Sequence, residues 1–208
     1  MNLSGLRVKP ILRLVGGLYL VGLGLAMMIH TSLGVPPWDV LTQGIQKQTN
    51  WSFGFAAIVI SAVVLLIWIP IRQRPGFGTL VNAVSIGPFA DWNRPLMPDL
   101  SGFWMNLIWL VLGLLIIAIG SGLYISAELG GGPRDGLMVG LTRVSKSPYW
   151  IVRSIAEALV LATGWLLGGT VGIGTAFFAI GIGYLVGITM KMFGFDPKTS
   201  QSGVKVSK

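Results

Sequence analysis

The sequence predicts an all-α membrane protein: six transmembrane helices arranged as two inverted three-helix repeats, each with a short re-entrant or amphipathic helix. Three observations predict it. The 208-residue chain is 53% hydrophobic and only 11% charged, with a mean hydropathy of +0.76. A soluble domain carries about 25% charged residues. The apolar residues gather in long runs, and the chain repeats itself at an offset of 96 residues.

Five apolar runs, about 11–30, 52–71, 103–127, 148–167 and 173–193, read as spanning helices. A crossing takes about 20 residues at about 1.5 Å each. A sixth run, roughly 79–92, is shorter and contains Asn82 and Asp91. Segments 36–48 and 133–146 are too short and too polar to span and read as the short helices. The N-terminal run is basic then apolar, like a secretory signal, but Met27-Met28-Ile29-His30-Thr31 offers no small-x-small cleavage site, so the helix is expected to be retained. The tail 194–208 is polar and is expected to be disordered.

Threading six crossings with the N-terminus inside puts 13 of the 15 basic residues on or near the cytoplasmic side and leaves only Lys47 and Arg94 outside. The excess of cytoplasmic Lys and Arg sets the orientation and places both termini on the cytoplasmic side. It also accounts for the net charge of +8 without nucleic acid. The chain has no cysteine and a single histidine, His30, which excludes disulfides, thiol nucleophiles and Cys-zinc sites. No nucleophile–base set is visible, and no enzymatic activity, cofactor or metal is expected.

The repeat is the most informative feature. Residues 17–87 align with 113–183 without a gap, and 19 of 71 positions are identical. Leu33-Gly34 matches Leu129-Gly130. Pro37-x-Asp39-x-Leu41-x-x-Gly44 matches Pro133-x-Asp135-x-Leu137-x-x-Gly140. Gly76-x-Gly78-Thr79 matches Gly172-x-Gly174-Thr175. Chance matches among Leu, Val and Ala are common in apolar sequence, whereas Pro, Asp and Gly-x-Gly-Thr matches are not. The chain therefore reads as a single membrane domain with repeat one at about 11–92 and repeat two at about 103–193. An odd number of crossings per repeat turns the second upside-down, a common plan for secondary transporters.

The patterns LGVPPWDVL (33–41), LGGGPRDGL (129–137), IRQRPGFGTLVNA (71–83) and VRSIAEALVLATGWLLGGTVGIGT (152–175) resemble YczE/YitT-type bacterial integral membrane proteins, the YczE-like ones more closely. The resemblance covers about 10–193 and implies a polytopic inner-membrane protein. It implies no substrate.

Six residues stand out as candidate substrate-binding groups. Asp39 and Asp135 follow a helix-starting proline by two residues, where a carboxylate complements the helix dipole. They either cap short helices or line a central cavity as well. Trp38 beside Asp39 is a cavity wall or cation–π partner. Its counterpart Arg134 has a planar fork suited to carboxylate or phosphate, or else anchors to lipid headgroups. Glu157 lies roughly 13 Å into the fifth run, where an acid is a functional candidate by default. Arg153, four residues earlier, offers it an ion pair. Asn82 and Asn106 read as interhelical hydrogen bonds, and Thr79 and Thr175 as helix N-caps.

The expected function is a small secondary transporter moving a small polar solute by alternating access, with its site at the repeat interface. The alternative is a substrate-binding, accessory or regulatory membrane protein without its own transport cycle. Expected partners are the lipid bilayer and a small molecule. Amino acids, amines, vitamin-like compounds and organic anions all stay open, as does a homodimer.

Overall fold

The computed structural model describes residues 8–195, and among these it contains eight α-helices and no strand. The first half comprises α1 (Val8–Thr31), α2 (Pro37–Thr49), α3 (Phe53–Trp68) and α4 (Phe77–Asn93), with a short 3₁₀ turn at Arg94–Leu96. The second comprises α5 (Phe103–Ile125), α6 (Pro133–Ser145), α7 (Tyr149–Leu166) and α8 (Ile173–Met192). The tail beyond Phe195 lies outside the described residues.

The 96-residue offset carries over into the backbone. Helices α6, α7 and α8 start 96 residues after α2, α3 and α4. The left-handed backbone positions Ser32, Gly34, Asn50 and Arg72 recur at Glu128, Gly130, Lys146 and Gly168. Each ends or redirects a helix: Asn50, at φ 58°, closes α2 by donating its N–H to the Gln46 carbonyl at 3.0 Å. Proline opens α2 and α6 at their first helical residue, where a missing N–H costs nothing.

The core forms where α1 meets α5. Leu14, Leu18, Val21, Leu25 and Met28 make one buried stripe on α1. Their counterparts Leu110, Leu114, Ile117 and Tyr124 make the facing stripe on α5. The two helices run antiparallel, with Gly17 against Gly120 and Gly24 against Gly113. A Cβ on Gly17 would lie 2.6 Å from the Gly120 carbonyl oxygen, and one on Gly113 would lie 2.8 Å from that of Gly24. Only glycine permits this backbone approach, which supplies the close packing that replaces hydrophobic drive inside a bilayer.

Three main-chain-directed contacts between the halves recur with their partners exchanged. Gly78 donates its N–H to the Leu129 carbonyl at 2.7 Å, and Gly174 donates to Leu33 at 2.9 Å. Thr79 Oγ1 donates to the Gly131 carbonyl at 2.7 Å, and Thr175 Oγ1 to that of Val35 at 2.9 Å. Lys47 Nζ donates to the Gly168 carbonyl at 2.6 Å, and Arg143 Nη2 to that of Arg72 at 3.3 Å. The threonines cap their helices from the third helical position rather than as the N-caps themselves: Gly76 and Gly172 are the N-caps and donate their N–H to Thr79 and Thr175 Oγ1 at 3.2 and 3.3 Å, while each hydroxyl also ties its half to the other. The asparagines also differ from expectation. Asn106 donates to Gly102 at the start of its own helix, and Asn82 borders a cavity.

Three helices, α1, α5 and α8, are long and apolar enough to cross a bilayer. Helices α2 and α3, bent by 116°, make a fourth crossing if they count as one broken span. The 52–71 run yields a helix of only 16 residues because Pro70 stops it, and α4 has 17 residues with Pro88 inside. The exterior is apolar: Ile180 is 84% exposed and Leu166 81%. Such a surface marks contact with lipid, and the protein is an integral membrane protein.

Candidate functional site

All six residues singled out in the sequence border one cavity of about 180 Å³ between the halves. Trp38 and Asp39 reach it from the first turn of α2, Arg134 and Asp135 from the first turn of α6, and Arg153 and Glu157 from α7. The local sequence explains the arrangement. The left-handed Gly34 (φ 112°) and Gly130 (φ 124°) turn the chain sharply into the proline that starts each short helix. A Cβ at either would press on the Thr175 or Thr79 hydroxyl, so the turn and the cross-tie need each other. Both short helices therefore aim their N-terminal turns at the cavity.

The cavity's charges are mostly paired. Arg134 Nη2 donates to Asp39 Oδ1 at 2.8 Å, joining the two halves. The Asp39 side chain is only 7% exposed, so the guanidinium offsets most of its desolvation. The same guanidinium carbon stands 5.5 Å from the centre of the Trp38 ring, within cation–π range. Neither alternative offered for the aspartates describes Asp39 fully, because its carboxylate caps nothing and serves as an ion-pair partner. Arg153 Nε donates to Glu157 Oε1 at 2.9 Å along α7, the i,i+4 pair that the spacing predicts.

Asp135 differs from Asp39. Its Oδ2 accepts a hydrogen bond from Tyr124 at 3.4 Å, and no Lys or Arg nitrogen of the described residues lies within 4.0 Å. Asp135 is exposed to solvent between protein walls, because it borders both the central cavity and a second chamber. That chamber measures about 480 Å³ and lies between α6 and the α3–α4 and α5–α6 connections. Arg72, Arg74, Arg143 and Glu128 line it.

The opposite end of the bundle is packed more tightly. Helix α2 lies backbone to backbone on α7, and Cβ atoms at Gly164 and Gly169 would collide with the Leu41 and Val40 main chain. The position equivalent to Gly164 is Trp68. Its indole fills the space against Gly136 and donates Nε1–H to the Pro133 carbonyl at 3.1 Å. Gln43 Oε1 accepts from the Thr170 N–H at 2.9 Å on the tight end, whereas its counterpart Val139 has no such group and faces the chamber.

Sequence reasoning missed Tyr124, Tyr149, Phe53 and Phe178, whose rings border the cavity. Tyr149 and Phe53 are equivalent across the repeat, an aromatic at the first turn of α7 and α3, and that correspondence is visible in the alignment. Tyr124 is the counterpart of Met28 and gives no such signal. No group of three or more His, Cys, Asp or Glu positioned to hold a metal occurs among the described residues.

Comparison with known proteins identifies the family. Residues 8–191 match the family of unknown function DUF6198. A Haemophilus influenzae protein named "Uncharacterized protein" is 39% identical over 178 residues, 86% of this chain and 82% of its own length. The Bacillus subtilis "Uncharacterized membrane protein YczE" is 33% identical over 172 residues, covering 82% of this chain and 80% of that protein. Bacillus subtilis YyaS is 27% identical over 163 residues, with 76% and 81% covered. No solved structure matches. With the match running from α1 into α8 and a YczE identity that spans most of both chains, the protein belongs to the DUF6198 family of YczE-like membrane proteins.

Proposed function

We propose that the protein is a small secondary transporter that carries a small polar solute across the bacterial inner membrane by alternating access, with the central cavity as its binding site. In this reading α1, α3, α4, α5, α7 and α8 cross the bilayer, α2 and α6 are re-entrant, and both termini are cytoplasmic. The reciprocal hydrogen bonds support a two-fold relation between the halves, since such an axis makes each contact recur with its partners exchanged. The antiparallel pairing of α1 with α5 favours an axis in the membrane plane, because an axis along the normal would leave those helices parallel. Inverted repeats of this kind carry their substrate sites near the midplane, at broken-helix N-termini.

The observation that carries the reading is the meeting of both Pro-x-Asp turns at one charged cavity, which has a chamber open at one end and helices packed backbone to backbone at the other. Two states that exchange the loose and tight ends would expose the cavity to each side in turn. The short α3, α4 and α7 reach across with help from their flanking connections.

The test is a thermal-shift screen of amino acids, amines, vitamins and organic anions on the detergent-purified protein, followed by uptake of any stabilising solute into proteoliposomes. A ligand that binds only the native state raises its melting temperature by mass action. Uptake that follows the solute gradient or a proton gradient supports the reading. Binding without uptake, together with copurification of an ATPase, supports a binding subunit instead.

A further inference from the structure

We propose that Asp135 is the binding carboxylate for a small organic monocation, which the protein exchanges for a proton. This rests on the reading of the central cavity as a transport site.

The charges of the cavity carry the argument. Three carboxylates, Asp39, Asp135 and Glu157, border it with two guanidiniums, Arg134 and Arg153. Arg134 is bound to Asp39 at 2.8 Å and Arg153 to Glu157 at 2.9 Å. Asp135 has no ion pair within 4.0 Å: it accepts from Tyr124 at 3.4 Å and lies against the Gly132 main chain, with the Arg153 and Arg134 guanidiniums acting on it from farther off. A carboxylate with no ion pair inside a membrane bundle faces water, a proton or a cation. Glu157, the first suspect in the sequence, already has its cation.

The repeat shows where the partner was lost. In one half Arg134 binds the Asp39 of the other half. The counterpart of that pair is Trp38 and Asp135. The chain has an indole where symmetry would supply a guanidinium, which leaves the place of a direct ion-pair partner to a cationic ligand. An aromatic face is also a partner for a weakly hydrated organic cation. The rings of Phe53, Tyr124, Tyr149 and Phe178 complete an apolar wall. A bare alkali or alkaline-earth ion would need a shell of oxygens instead. The cavity's volume of about 180 Å³ limits the cation to a small one.

Access fits exchange. Asp135 touches both the cavity and the open chamber, so water there can take its proton as the ammonium arrives. The step balances: a carboxylic acid and R-NH₃⁺ become an ammonium carboxylate pair and a free H⁺. The groups that face Asp135 are Arg134 on its own helix, Tyr124 on α5, Tyr149, Arg153 and Glu157 on α7, and Asp39 on α2. From the chamber, Arg72 and Arg74 come from the α3–α4 connection, Glu128 from the α5–α6 connection and Arg143 from α6. Arg143 is held on the Ile71 and Arg72 carbonyls.

The experiment is calorimetric titration of the purified full-length protein with butylammonium, and with butyrate as the anionic counterpart. Titrations run from pH 5 to 8 in buffers of different ionisation enthalpy. The expected result is binding of butylammonium but not butyrate, with up to one proton released per cation on the acid side of the carboxyl's titration and none on its alkaline side. Affinity should weaken about tenfold per pH unit on the acid side of the carboxyl's titration. Asp135→Asn should lose binding at least tenfold, while Asp99→Asn, in an exposed loop, keeps it. The proton count on the unaltered protein stands even if the Asp135 variant fails to fold. Binding of butyrate instead, no butylammonium binding, or binding that releases no proton at any pH of the series overturns the proposal. Proteoliposome uptake separates the two readings. Cation binding with proton release but no uptake removes the transporter and keeps the site. Uptake of an anionic solute without cation binding keeps the transporter and removes this assignment.

Discussion

Arg134 and Asp39 form an ion pair at 2.8 Å that crosses the boundary between the two halves of the chain, one partner at the start of each short helix. The equivalent positions, Trp38 and Asp135, make no such pair. One half thus joins the other through a salt bridge at the cavity, and its counterpart position leaves Asp135 without a direct ion pair.

Removing Arg134 strands the buried Asp39 carboxylate. Arg134→Ala is expected to cost about 2 kcal/mol, below the 3–5 kcal/mol seen for fully buried pairs because the arginine is a third exposed. Arg134→Lys restores the charge but not the planar fork over Trp38, and recovers only part of the loss. Thermal unfolding in detergent, following tryptophan fluorescence, measures both.

The two threonine cross-ties should behave as equals. Thr79→Val and Thr175→Val each remove two hydrogen bonds: one donated to a carbonyl of the other half, at 2.7 and 2.9 Å, and one accepted from the N–H of Gly76 or Gly172, at 3.2 and 3.3 Å. Each is expected to cost about 1–2 kcal/mol, since a buried carbonyl loses its donor. A large difference between the two melting temperatures would contradict the equivalence of the ties.

Glycines divide into two classes. Gly120→Val forces a side chain between the α1 and α5 backbones, where even a Cβ would sit 2.6 Å from the Gly17 carbonyl oxygen. Its expected cost is above about 2 kcal/mol. Gly181→Ala on α8 meets nothing within 4 Å and should be neutral or stabilise by up to about 1 kcal/mol through helix propensity. Melting temperatures of the two variants, with expression level as a control, check the contrast.

At the tight end, Gly164 lets the α2 backbone lie on α7. Gly164→Leu is expected to push the two helices apart and let solvent in. A thiol reagent should then reach a cysteine placed at Val40, which is fully buried in the native packing. An unchanged labelling rate would mean that this contact does not seal the cavity.

Much of this was legible before any coordinates, for a physical reason. Pro37, Asp39 and Gly34 are residues that apolar drift does not reproduce, so their return at Pro133, Asp135 and Gly130 reported a repeated backbone, and the same left-handed turns stand at both places. The Arg153–Glu157 pair followed from helical spacing alone. The role of Thr79 did not, because its partner, the Gly131 carbonyl, is 52 residues away and belongs to a turn whose path only tertiary packing fixes. The Arg134–Asp39 pair was hidden likewise. Both residues were visible, but which of two carboxylates takes the guanidinium depends on how the halves meet. Hydropathy overstated the lengths of the crossings, since it cannot see Pro70 ending α3 within an apolar run.

The central claim is that the halves are homologous and lie upside-down relative to each other in the bilayer. The chain has no native cysteine, so single cysteines report cleanly. Asn50 and Lys146 are equivalent, exposed, left-handed residues that end α2 and α6. Asn50→Cys and Lys146→Cys are to be treated with a membrane-impermeant maleimide in intact and in permeabilised cells. The account predicts that Asn50→Cys labels in intact cells and that Lys146→Cys labels only after permeabilisation. Labelling of both from the same side would contradict it.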